Sequence, residues 1–141
     1  MVLSPDMVQP TDKVYCFAQV EGESGDIDIA STFVTISNSI PVFTNAYILP
    51  SVGVRSGTEL NCHGVVSDPD LTEINHSYSW SRNGELLAIG QTLLLNDDNA
   101  KQGDIISCTV LAQDEHGGTA TLDADVEVIN SLPEINNIGI N

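Results

Sequence analysis

The stretch LNCHGVVSDPDLTEINHSYSWSRNGELLAIG, residues 60–90, decides the fold. Leu60 and Cys62, then Tyr78 and Trp80, stand two apart, the spacing at which side chains share one face of a strand. Arg82-Asn83-Gly84 is a turn, with Asn-Gly favoured where a hairpin needs positive φ. The alternation continues downstream in Leu93 and Leu95, in Ile106, Cys108 and Val110, and in Leu122, Ala124, Val126 and Val128. These are the expected core positions, while Thr121, Asp123, Asp125 and Glu127 face solvent. Strands are predicted near residues 44–48, 58–66, 75–81, 85–88, 91–96, 104–113 and 119–129, with no helical period.

The chain also copies itself. TDKVYCFAQVEGESGDIDIASTFVTISNSIPVF aligns with GDIISCTVLAQDEHGGTATLDADVEVINSLPEI, and Cys16 and Cys108, Asn38 and Asn130, and Pro41 and Pro133 are each 92 residues apart. A period of that size suits a small β-sandwich and is too long for helical or leucine-rich solenoids. The expected organisation is the second half of a repeat over 1–40, a complete repeat over 41–132 and the start of another over 133–141.

Cys62, Trp80 and Cys108 resemble the immunoglobulin pattern, in which two cysteines bridge the sheets and a tryptophan packs on the bridge. The resemblance implies a Cys62–Cys108 disulfide spanning 108 − 62 = 46 residues, worth about 4 kcal/mol by chain entropy, and an oxidising compartment. Two free, buried cysteines in a cytosolic sandwich are the alternative. From NSIPVF at 38–43 to NSLPEI at 130–135, the chain looks like the tandem immunoglobulin-like repeats of giant secreted bacterial proteins. Those are similar in outline to polycystic-kidney-disease-type and cadherin-like modules. Expected from this are an all-β fold of immunoglobulin-like antiparallel β-sandwich repeats in tandem and an exported, cell-surface stalk, fibre or adhesin spacer. Such repeats often carry a run of Asp and Gly where this chain has SDPDLTEIN, which holds fewer acidic groups.

Four Lys and Arg against 20 Asp and Glu give a formal charge of −16, a field that repels nucleic acid and anionic membrane surfaces. No apolar run has the length of a membrane span, and MVLSPDMVQPTDK lacks the pattern of an export signal. If the chain is exported, its signal is expected outside these residues. Cys16 is expected to be unpaired, its partner strand lying upstream or on a neighbouring chain, as in strand-complemented filaments. The expected partners are neighbouring repeats or identical chains, with a surface protein or glycan as a further class. Aromatic residues make up only 5%, which argues against a sugar-stacking platform.

No nucleophile elbow, phosphate loop or catalytic carboxylate pair is present in the sequence, and a non-enzymatic role is expected. His63, His76 and His116 lack metal-ligand spacing. Asn75-His76-Ser77 matches a glycosylation acceptor. In an immunoglobulin-like connectivity the loops after the second and sixth strands of the repeat share one end. Asp68, Asp70, Asp114 and Glu115 are therefore expected there, with Asn38 arriving from the linker, as a candidate calcium set of hard oxygen ligands. They are equally good turn formers. The half repeat has Ile27, Ile29 and Phe33 where the full repeat has Thr119, Thr121 and Asp125, so its outer face is apolar and marks a candidate interaction surface.

Overall fold

A computed structural model describes residues 2–131 and Gly139. The expected repeat start at 133–141 falls almost wholly outside the described residues. Among the described residues there are nine strands and no helix: β1 (Lys13–Glu21), β2 (Ile27–Thr35), β3 (Val42–Leu49), β4 (Glu59–Ser67), β5 (Ile74–Arg82), β6 (Glu85–Ile89), β7 (Thr92–Leu94), β8 (Ile105–Asp114) and β9 (Thr119–Glu127). All pairings are antiparallel and form three sheets, ordered β1-β2, β3-β4-β7 and β6-β5-β8-β9.

The second and third sheets share one core. Leu60 and Cys62 of β4, Trp80 of β5, Leu93 of β7, Leu95, and Ile106, Cys108 and Val110 of β8 are buried in it, with Val126 of β9 and Val128 beyond it. Alternation put these side chains on one face, and burial of that face drives the sheets together. Cys62 and Cys108 form a disulfide that ties β4 to β8 across the core. Trp80 is fully buried, and its indole Nε1–H donates to Gly90 O at 2.8 Å, so no polar group is orphaned there. At the β5–β6 turn, Asn83 and Gly84 adopt φ of 52° and 88°, the positive values a tight hairpin requires.

Leu122 departs from its expected place in the core and is 37% exposed. It does pair with Val110 in register, but on the edge strand β9 it lies nearer the β8–β9 turn than Val126, which is buried on the same face. Tyr78 and Ala124 are only partly buried. Pro41, Ile48, Val54, Ala100 and Ala112 are buried although they were not among the expected core positions.

The segment 4–36 repeats the backbone bonding of 96–128. Met7 and Val8 N–H donate to Ser4 O where Asn99 and Ala100 N–H donate to Asn96 O. Thr11 N–H donates to Ile36 O and Ile36 N–H to Asp12 O, just as Gly103 donates to Val128 O and Val128 to Asp104 O. Asp12 Oδ2 accepts from Gln9 N–H at 2.9 Å where Asp104 Oδ2 accepts from Lys101 N–H at 2.8 Å. At the hairpin tips, Gly22 donates to Asp26 O and Asp114 to Gly118 O. Every partner is displaced by 92 residues, including the β2 and β9 positions compared above, so Ile27, Ile29 and Phe33 do occupy the places of Thr119, Thr121 and Asp125. Thr11 even takes a φ of 76° where Gly103 has 88°, a region β-branched residues avoid.

Candidate functional site

Two features stand out: a polar joint at the β8–β9 end, and the uncovered β1–β2 pair. At the joint, residues 36–41 run from β2 to β3. Asn38 Nδ2 donates to Asp114 Oδ2 at 2.8 Å. Ser39 donates to Asp70 twice, from its N–H to Oδ2 at 2.6 Å and from its hydroxyl to Oδ1 at 3.1 Å. Asp70 N–H in turn donates to Asp68 Oδ1 at 2.6 Å, closing a tight turn in which Leu71 takes a positive φ of 60°. The linker is thus fastened to both loops that the sequence pointed to.

Asp114 is 3% exposed, and its other oxygen, Oδ1, accepts from the N–H groups of His116 and Gly118, both at 2.8 Å. The Asn38 amide first, and then the Gly118 and His116 N–H groups, hold its carboxyl below the ordinary value of 3.8 against the opposing effect of burial. A lowered carboxyl stabilises the fold fully above its unfolded value. That contribution is lost as pH falls below about 3.8 through the folded value. Asn38→Ala is accordingly expected to move the Asp114 titration upward, measured by carbonyl NMR, and to raise the pH of acid unfolding.

A Cβ on Gly118 would collide with Asp114 Oδ2 and Asn38 Nδ2. Gly118→Ala is therefore expected to lower Tm on the order of 5 °C, read by calorimetry. Gly118 and Ser39 were not singled out in the sequence, and only the flanking Asn-Ser and Gly-Gly pairs hinted at them. Asp68 is 6% exposed. Its Oδ2, with Asn38 Oδ1 and Thr72 Oγ1, is buried without a hydrogen-bond partner. Glu115 is exposed and takes no part in these bonds. Among the described residues no three His, Cys, Asp or Glu side chains are grouped as they would be to hold a metal ion.

The β1–β2 pair has little cover on either face. One face carries Val14, Cys16, Ala18, Val20, Thr32 and Val34, and every residue of both strands is exposed except the half-buried Val14. The other carries Tyr15, Phe17, Ile27, Ile29 and Phe33, with Tyr15 centred 5.4 Å from Phe33 and 6.0 Å from Phe17. The Lys13 ammonium lies 4.6 Å above the Phe33 ring. Tyr15 and Phe17 enlarge the apolar surface beyond the three residues of β2 that the sequence identified. Cys16 is a free, exposed cysteine.

The Cys62–Cys108 bridge fits an oxidising, extracellular environment. No helix among the described residues is long and apolar enough to cross a membrane. In comparisons with known proteins, no family model, no curated protein and no solved structure matches the chain.

Proposed function

We propose that this chain is a non-enzymatic structural and interaction segment of an exported cell-surface stalk, fibre or adhesin, built from immunoglobulin-like sandwich repeats in tandem. The observation that carries it is the recurrence of the 4–36 hydrogen bonds at 96–128, because spacers of this kind extend by repeating one unit. Support for the fold comes from the strand order β3-β4-β7 against β6-β5-β8-β9 with the bridge between β4 and β8, which is that of immunoglobulin-like domains. The fastened linker fits a stiff joint between successive units. Protease and antibody labelling of intact source cells is expected to reach these residues, with Cys62 and Cys108 oxidised. A purely cytoplasmic, reduced pool would refute the proposal.

The apolar outer face of β1–β2 is the interaction surface in this account. Phe33→Asp is expected to weaken self-association at high concentration in analytical ultracentrifugation, and unchanged sedimentation would count against that role.

A second reading, a calcium-dependent adhesion module, draws on the buried, unpartnered oxygens of Asn38, Asp68 and Thr72, all of the hard donor type calcium prefers. Calcium would then raise Tm beyond a magnesium control, and equal effects of the two ions would remove this reading.

A further inference from the structure

In the complete copy, two things finish the β8–β9 pair. Strand β5 hydrogen-bonds along the edge of β8, from Ile74 opposite Asp114 to Arg82 opposite Ile106. The β3-β4-β7 sheet covers the inner face, on which Ile106, Cys108, Val110, Ala112 and Val126 are buried. Among the described residues neither is present for β1–β2. Its sheet contains only those two strands, so the edge of β1 lacks a ladder partner among the described residues, and Val20 and Val34 on the inner face are 68% and 60% exposed. A free strand edge and an apolar face on one element are both unfavourable in water.

One β3–β7 set therefore stands against two pairs of the β8–β9 kind, and it is already engaged by β8–β9 through the Cys62–Cys108 bridge. We propose that β1–β2 is the receiving half of a second unit, and that its occupant is another stretch of the β3–β7 type belonging to the adjoining repeat. A β5-like strand would pair along β1, and a cysteine in the place of Cys62 would bond Cys16. The inner face is suited to that occupant. Val14 stands for Ile106, Cys16 for Cys108 and Val34 for Val126, while Ala18 and Val20 exchange the sizes of Val110 and Ala112 and so conserve volume. Two thiols and one small-molecule disulfide, such as oxidised glutathione, give the protein disulfide and two small thiols, which balances atoms and electrons.

The inference rests on the tandem-repeat reading, and its failure is separable from it. Surface labelling tests export, whereas the state of Cys16 tests the occupant. The experiment joins a duplicate of residues 41–95 directly ahead of Ser4, the counterpart of Asn96, and folds the extended chain in a glutathione redox buffer. Mass spectrometry is expected to find a peptide linking Cys16 to the duplicate's cysteine beside the original Cys62–Cys108 bridge. With C62S in the duplicate alone, native alkylation of Cys16 is expected to slow on the order of 10-fold or more relative to the unextended chain. Cys16 alkylating at its original rate, or an extended chain that loses the Cys62–Cys108 bridge, would overturn the proposal. A separate arm uses the unextended chain, in which Cys16 is expected to stay reactive and to join no dimer. A dimer joined through Cys16 would overturn the proposal by making a second copy the occupant.

Discussion

Replacing Cys62 and Cys108 together by alanine is expected to cost about 4 kcal/mol of stability, measured by urea unfolding. The size follows from the 46 residues the bridge spans, whose freedom in the unfolded chain it removes. Domains of this size are stable by only about 5–15 kcal/mol, so the double variant is expected to lose a large share of its stability and to unfold at markedly lower urea. Alkylation of the native protein without reductant is expected to label Cys16 and spare the other two. If all three thiols react in the folded, unreduced protein, the bridge and the compartment inferred from it both fall.

Trp80→Ala is expected to cost about 3–5 kcal/mol, again by urea unfolding. The side chain is fully buried between the two sheets, in the same core as both bridged cysteines, so its removal leaves a cavity rather than a surface dent. Gly90 O also loses its indole donor. Trp80→Phe fills much of the space but still orphans that carbonyl, so an intermediate loss is expected. A loss below about 1 kcal/mol for Trp80→Ala would place the indole outside the core.

The strands and most of the core were legible because burial on one face imposes a two-residue alternation, which Ile106, Cys108 and Val110 display without interruption. Val54 and Ala100 were not, because they enter the core from loops, where no period marks the inward side. Leu122 has the right parity and still misses the core, since alternation gives the face of a strand but not how far along that face the core extends, and Val126 on the same strand is buried. The joint was half legible. Asn38, Asp70 and Asp114 were placed at one end of the repeat by connectivity, yet the Asn38–Asp114 bond joins residues 76 apart and the part of Ser39 is played largely by its backbone N–H. Tyr15 and Phe17 extend the apolar face onto β1, where Ser107 and Thr109 hold the matching places in β8.

In the organisation proposed above, one polypeptide carries a unit with both of its sheets and a second copy of that unit's β8–β9 half. Amide hydrogen exchange on the monomeric chain tests this most directly, because exchange of a ladder amide reports how much must open to free it. Amides of β4, β5 and β8 are expected to exchange only with global unfolding, while those of β1 and β2 exchange orders of magnitude faster despite matching hydrogen bonds. Equal protection of β1–β2 and β8–β9 in the monomer would contradict the account.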